Sequence, residues 1–506
     1  MTISVVAVLL VLGLYLVVPI PTGEDWGWEA AIAILCVGAL YVMAGVWSMV
    51  RITNSKHPMR TGLLSLSVMV TSMVVTFALV YLSMSSRNPE SFNVQLDRVS
   101  ALYFTMTVLS TTGFGDITAS TQSAMIAVMI GLGCTADLFN LWIWFETMAI
   151  SSYLLVAFYR EQTSALEAGV KYLVQSAAGS VLVLIGISLV LTETGTLDLA
   201  EIQAVAASSS LMIVAGALFV IGFGVKAALV PLHTWLPDAH SQAPSGISAM
   251  LSGVVIEAGL IAMLRALSGL AFIEASWPAL LMVFGALNML LGNLMALRQT
   301  QIKRLLAYSS LAHVGYMLIG LGVALYFGNL NGAQGGFFHL FNHMLMKGLA
   351  FLAAGALLYA LRLSRNSHAP LTKDDLAGAA TRYPLVALTF SLAVLALGGL
   401  PPLAGFMSKW QIFVSGFQVE NFWIGALVIF AALNSVLSLA YYAPLVNALY
   451  RMEPSARVRE GALVPKVMQL PLAILALAVV VIGLWPALMN WLTVPAGAAL
   501  LKVFGY

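Results

Sequence analysis

Residues 219–260 read FVIGFGVKAALVPLHTWLPDAHSQAPSGISAMLSGVVIEAGL. An apolar run carries a cation, Lys226, and meets Pro231 five residues later. A lysine near the centre of a membrane helix costs roughly 3 kcal/mol or more. A proline there lacks an N–H and frees a carbonyl, which must find water or a side chain. His233, Trp235, Pro237, Asp238 and His240 follow, and a second apolar run carries Glu257. A charge beside a helix break is the pattern of a transport site near the bilayer midplane. The simpler alternative is a proline-kinked structural helix whose lysine snorkels to the surface. The tendency of intramembrane charges to be functional weighs against it.

The rest of the chain agrees with a membrane setting. It has 506 residues, of which 60% are hydrophobic and only 9% charged, and this describes a polytopic helical membrane protein rather than a soluble one. The net charge of +2 gives no reason to expect nucleic acid as a partner. Cys36 and Cys134 lie in apolar runs without metal-ligand spacing, so they read as buried thiols and no metal site is expected. There is no CxxC cluster, no glycine-rich nucleotide loop and no redox or hydrolytic constellation. Any electron-transfer chemistry therefore belongs to another subunit. The run Thr2–Pro19 lacks a basic leader and reads as a first membrane helix rather than a signal peptide.

Apolar runs long enough to span fall near 3–20, 28–50, 62–84, 119–137, 138–158, 169–192 and 210–232. Others fall near 244–267, 276–298, 304–326, 334–362, 383–418 (interrupted), 421–450 and 468–487. The expected fold is all-α, with about fourteen spans by the length rule. The longest linkers, 85–97, 363–382 and 452–467, are polar and short, and leave no room for a separate domain outside the membrane.

Two stretches interrupt this pattern before Lys226. In SALYFTMTVLSTTGFGDITAS (100–120), an aromatic half-length helix runs into Thr111, Thr112, Gly113, Phe114, Gly115 and Asp116. Two glycines one residue apart permit a backbone that turns carbonyls toward a common axis, and such carbonyls can replace the water shell of a potassium ion. The stretch resembles the pore loop of potassium channels, whose commonest form is TVGYGD. The likeness extends over about residues 40–130. Thr112-Gly113-Phe114 stands where Val-Gly-Tyr is usual, and the following helix runs directly into DLFN instead of ending in the cytosol. A four-fold filter also needs four copies, and the alternative is a re-entrant or surface loop that conducts nothing. Next, DLFNLWIWFETMAISSYLL places Glu146 in the middle of an apolar helix. A buried carboxylate alone tends to neutralise, whereas a lysine partner keeps it charged. Lys171 follows near the start of the next run, and TETGTLDLAEI (192–202) is a polar connection.

FGVKAALVPLHTWLPDAHSQAPS, RLLAYSSLAHVGYM (304–317), FNHMLMKGLAFL (341–352) and LGGLPPLAGFMSKW (397–410) stand in the order of one known family. Together they resemble the antiporter-like subunits of respiratory complex I. The same fold occurs in the multisubunit cation/proton antiporters (Mrp), whose D-type component is the nearest in style around Glu146, and in the membrane-bound hydrogenases. The likeness covers about residues 120–490. It implies fourteen or so helices in an inverted repeat, each half with one broken helix. The sequence holds both breaks: Lys226 to Pro231, and Gly398-Gly399-Leu400-Pro401-Pro402 followed by Lys409. The resemblance also implies roles. Glu146 matches the glutamate that pairs with the broken-helix lysine, Lys226. His313 matches a central relay position, His339, His343 and Lys347 a helix that continues the polar path, and Lys409 the terminal charge of the second half.

The residue types suit those roles. His339, His343 and Lys347 stand at i, i+4 and i+8, on one helical stripe. A neutral imidazole both donates and accepts, so it can pass a proton at physiological pH. Taken singly, each histidine reads as a core residue bonded to a carbonyl; three in neighbouring motifs, in line with lysines, favour the relay. Glu257 departs from the family, which commonly has lysine or histidine there. It is expected either to relay a proton through water or to pair with Lys226 and block exchange with Glu146.

The domain division expected is 1–120, N-terminal helices with a channel-like loop; 121–490, an antiporter-like core; and 491–506, a C-terminal tail. The basic connections at Arg160, Arg298–Arg304, Arg362–Arg382 and Arg451–Lys466 fall on one side, which the positive-inside rule makes cytoplasmic. Arg51, Lys56 and Arg60 then fall outside, whereas a channel needs them inside, so the two resemblances demand opposite directions for 119–137. The expected function is proton translocation, with sodium or potassium as candidate exchange ions, in a bacterial cytoplasmic membrane and among other membrane subunits. Quinone, flavin or iron–sulfur centres belong to those partners if they occur. The rivals are a potassium channel using Thr111–Asp116 and a scaffold that conducts nothing.

Overall fold

A computed structural model describes residues 75, 77–86, 92, 95–109, 135–159, 161–205, 208–273, 277–365 and 370–506. The pore-like loop Thr111–Asp116, the apolar runs at 3–20 and 28–50, Cys36 and Cys134 lie outside the described residues. Among the described residues the chain is helical, with two isolated β-bridges, Asp137–Asp198 and Gln301–Thr372. It divides into two compact units: residues 1–135 with 140–151, and residues 136–139 with 152–506.

In the first unit, α1 (Phe77–Ser86) and α2 (Arg98–Leu109) are short. Asp97 opens α2: its Oδ1 accepts the Ser100 N–H at 2.7 Å, and its own N–H donates to Ser100 Oγ at 2.9 Å. This reciprocal cap satisfies donors that the first helical turn leaves free. The Phe77 ring lies 4.9 Å from that of Trp144, which belongs to α3 (Leu138–Val156).

The second unit holds the long helices. In order they are α4 (Thr163–Thr194), the short α5 (Leu199–Val205), α6 (Ser210–Lys226), α7 (Trp235–Gln242) and α8 (Ser245–Ser268). Then come α9 (Trp277–Leu297), α10 (Ile302–Phe327), α11 (Leu330–Arg365), α12 (Pro384–Gly398), α13 (Ala404–Phe417) and α14 (Phe422–Arg451). The short α15 (Ala456–Glu460), α16 (Lys466–Leu484) and α17 (Asn490–Val503) complete it. Seven of the described helices are long and apolar enough to cross a membrane. α10 is enclosed along nearly its whole length, from Ile302 to Leu325. It sits against α9 through small residues, and a Cβ on Gly292 would lie 2.7 Å from the Ala312 nitrogen. Such crossings bring two helix backbones together where hydrocarbon gives no hydrophobic drive. α14 and α16 instead turn Leu433, Val436, Ile474 and Leu477 outward, as lipid-facing helices must.

Three irregularities position the polar interior. α6 stops at Lys226 and the chain resumes as helix only at Trp235; α12 stops at Gly398 and resumes at Ala404. Both expected breaks are therefore present, and each contains a cis X–Pro bond, Val230–Pro231 and Pro401–Pro402. The third is a single π-helical turn, Leu251–Val255, inside α8. The extra residue per turn re-aims the side chains that follow it, of which Glu257 is the first charged one. The last stretch of the chain is helical: Gly497 of α17 lies against Ala333 and the backbone of Gln334 on α11.

Candidate functional site

The first break is held open by side chains from two other helices. Ala228 adopts φ 56°, a left-handed conformation that favours glycine. Its carbonyl accepts from Asn288 Nδ2 at 3.1 Å, while Asn288 Oδ1 accepts the Val230 N–H at 2.8 Å. Gln175 of α4 spans the far side, donating to Thr234 Oγ1 at 2.5 Å and accepting the Trp235 N–H at 3.2 Å. Two amides thus satisfy backbone groups that the break removes from helical pairing, as a water-poor interior requires.

Lys226 is buried at the last turn of α6. Its ammonium donates to Tyr172 Oη at 2.7 Å and to Ser152 Oγ at 3.1 Å, and those two hydroxyls bond each other at 2.8 Å. It also lies 4.3 Å from the centre of the Tyr172 ring, a cation–π distance. Tyr172 is itself fixed by stacking on Trp235, with centroids 3.9 Å apart, and Trp235 Nε1 donates to the Val225 carbonyl at 2.8 Å. Glu146 lies midway along α3, half-buried, in the first unit.

The second break repeats the chemistry. Lys409, buried on α13, donates to the Leu397 carbonyl at 2.8 Å and to Ser435 Oγ at 2.9 Å. Its ammonium lies 4.6 Å over the Tyr316 ring. Each break thus presents a buried lysine to one serine hydroxyl and one tyrosine ring.

A run of buried polar side chains leads to the second break. Glu257 Oε1 is 2.8 Å from His343 Nδ1. The rings of His343 and His313 have centroids 5.2 Å apart. His313 Nδ1 lies 3.0 Å from His339 Nε2, and His339 Nδ1 lies 2.9 Å from Ser408 Oγ, next to Lys409 in the chain. All four titratable members of this line are buried. His339 is bonded at both ring nitrogens, one as donor and one as acceptor in either neutral tautomer. Lys347, on the same stripe of α11, donates to the Leu306 carbonyl at 2.7 Å and Ser309 Oγ at 2.5 Å. Glu257 is thus bonded directly to His343, a partner that neither sequence expectation, a relay through water or a pair with Lys226, had named. Pro231, Pro401 and Pro402 all stand inside the breaks.

Several contributors lie outside the residues that the sequence singles out. Asn288 and Gln175 are two of them, although an amide inside an apolar helix is the ordinary signal of an intramembrane hydrogen bond. Lys171 stands out by its charge, yet it is its neighbour Tyr172 that touches Lys226. Lys171 is half-exposed, 2.7 Å from Glu167 and 3.2 Å from Asp238, whose other oxygen is 2.5 Å from Arg304. The π turn in α8 has no sequence signature at all. Buried Lys303, bonded to the Ala243 carbonyl, sits beside Arg304 and reads as a surface charge until the fold encloses it.

Comparison with known proteins places this geometry. The family model described as NADH:quinone oxidoreductase/Mrp antiporter, transmembrane, matches residues 135–437. An ion channel model matches residues 69–146. Subunit N of the F420H2 dehydrogenase of Methanosarcina mazei is 35% identical over 69% of this chain and 71% of its own length. Subunit N of the NADH-quinone oxidoreductase of Desulforamulus reducens is 34% identical over 71% of this chain and 72% of its own. In the solved structure of an archaeal membrane-bound sulfane sulfur reductase, one chain superposes with a TM-score of 0.68 at 27% identity, covering 99% of this chain and 97% of that one. With more than half its length inside the family model, the chain belongs to the NADH:quinone oxidoreductase/Mrp antiporter transmembrane family.

Proposed function

We propose that this chain is a proton-translocating membrane subunit that works inside a multisubunit, complex I-like or Mrp-like assembly. The observation that carries the proposal is the buried line Glu257–His343–His313–His339–Ser408, which ends beside the lysine of one helix break. Buried ionisable groups are costly, and a fold that needed only a scaffold would fill these positions with apolar side chains.

In this function Lys226 is the switch at the first break, Glu146 is a further carboxylate of the path, and Glu257 is the group that receives the proton next. A proton accepted at one imidazole nitrogen is released from the other and leaves the ring in its other tautomer, so His343, His313 and His339 each return to the starting tautomer before the next proton passes. The step from His343 to His313, whose rings lie 5.2 Å apart without a direct hydrogen bond, needs a small movement of a ring. Lys347 biases the line from its flank, and Lys409 is the exit group. A nearby cation disfavours a second positive charge, so a proton leaving one lysine favours uptake at the next. Sodium or potassium is the candidate counter-ion, and redox centres sit on partner subunits. The membrane is the cytoplasmic membrane of a bacterium, and residues 121–490 form the translocating core.

The test is Lys226→Ala in the intact complex, followed by proton uptake in sealed vesicles. Coupled transport is expected to stop while the particle keeps its composition; undiminished transport refutes the assignment. A second reading, a potassium channel built on Thr111–Asp116, draws support from the ion channel match over residues 69–146. It requires four copies per particle, so one copy among different subunits refutes it. Gly113→Ala stops potassium flux only if the loop conducts.

A further inference from the structure

α14 carries an internal line of polar groups, Asn434, Ser435, Ser438, Tyr441 and Tyr442, of which the transport path uses Ser435 as a partner of Lys409. Ser435 and Tyr442 are seven residues apart, two helical turns, so they share a face. At one end, Ser435 Oγ accepts from Lys409 and donates to the Gly398 carbonyl at 3.2 Å, at the edge of the second break. One turn earlier, the Ala431 carbonyl accepts from the hydroxyl of Tyr316 at 3.4 Å, the tyrosine whose ring lies under Lys409. At the other end, the Tyr442 hydroxyl bonds Ser309 Oγ, and Ser309 Oγ accepts from Lys347 at 2.5 Å.

The space between the ends is also closed. The rings of Tyr441 and Tyr442 have centroids 4.4 Å apart. Tyr441 donates to Asn293 Oδ1 at 2.9 Å, and Asn293 Nδ2 donates to Asn434 Oδ1 at 3.1 Å and to its carbonyl at 3.0 Å. Tyr441, Tyr442, Asn293 and Asn434 are all buried. Two phenols and two amides are expensive to bury without partners, and a fully satisfied network of them is stiff. A stiff element bonded to one lysine directly, through Ser435, and to the other through the Ser309 hydroxyl transmits displacement from one to the other.

We propose that α14 is a strut coupling Lys347 to Lys409, with Ser435 and Tyr442 as positioning residues that set the two ammonium groups together. The coupling rests on the transport function proposed above. It gives the second half of the molecule a mechanical link beside the histidine line, so the lysines do not act as independent stations.

The experiment uses the intact complex in sealed vesicles, with proton uptake followed by a pH-sensitive dye. Tyr442→Phe and Ser435→Ala each slow transport about tenfold, the usual scale for one buried hydrogen bond. Ser435→Thr, which keeps the hydroxyl, restores the rate. A strut makes the double variant Tyr442→Phe/Ser435→Ala no slower than either single one, whereas independent sites multiply to about a hundredfold. Lys409→Met is measured in parallel. If it is inactive while the two substitutions multiply, or change nothing, the strut is overturned and the transport function stands. If Lys409→Met transports normally, the transport function fails and the strut with it. Should Ser435→Ala not assemble, Tyr316→Phe replaces it: it removes the bond to Ala431 and keeps the ring under Lys409.

Discussion

Replacing Asn288 with leucine tests whether the first break is held by that one side chain. The substitution keeps the branching and the number of heavy atoms and removes two hydrogen bonds, the donor to the Ala228 carbonyl at 3.1 Å and the acceptor of the Val230 N–H at 2.8 Å. Asn288 is fully buried, so water does not substitute. A buried backbone group left without a partner costs about 1–3 kcal/mol. The two together cost about 2–6 kcal/mol, and the lower bound alone moves a local opening equilibrium about thirtyfold. Hydrogen exchange isolates the effect. The amides of Ala227, Ala228 and Leu229 donate to carbonyls of α6 and keep their partners, whereas Val230 donates to Asn288. In Asn288→Leu, the Val230 amide is therefore expected to exchange at least about thirty times faster, with smaller changes at its three predecessors. Leu287→Ala, on the outward face one residue earlier, leaves all four unchanged. Unaltered exchange at Val230 in Asn288→Leu refutes the assignment of the break to this amide. Because the turn also seats Lys226, the same variant should transport protons more slowly.

Three further outcomes follow from the same contacts. His339→Leu removes a ring bonded at both nitrogens and should cut proton uptake by a factor of about a hundred, on the scale of a lost acid–base group; a rate near wild type argues for a bypass through water. A Cβ on Gly259 would lie 2.9 Å from the Ala227 nitrogen and 3.0 Å from Lys226 Cβ, so Gly259→Ala should destabilise the particle by about 1–3 kcal/mol and slow transport; an unchanged melting curve shows that the helices part freely. Asp238→Asn breaks partly exposed pairs with Lys171 and Arg304, and should cost less than about 1 kcal/mol, an effect that fades in high salt. A large salt-independent loss in that variant gives Asp238 a role in the path.

Much of the molecule is legible in its sequence, for identifiable physical reasons. Apolar runs of about twenty residues announce membrane helices because hydrocarbon tolerates little else. Lys226, Glu257, His339, His343, Lys347 and Lys409 stand out because charge in such runs is rare and expensive. Pro231, Pro401 and Pro402 mark the breaks because proline cannot complete a helical hydrogen-bond ladder. The i, i+4, i+8 spacing on α11 fixed a common face without knowledge of any partner.

Partnership was decided by the tertiary structure alone. For Glu257 the sequence suggested a relay through water or a pair with Lys226; the fold, with a π turn just before it in α8, sets it directly against His343 instead. Tyr172 and Tyr316 look like ordinary aromatic residues in apolar helices until packing places each ring beneath a lysine. Asn288 and Gln175 gain their importance only because α9 and α4 pass the unwound turn at hydrogen-bonding distance. Composition and periodicity report what one helix can bury. Which polar groups meet depends on the crossing of helices far apart in sequence, and on a one-residue change of helical pitch that no local pattern encodes.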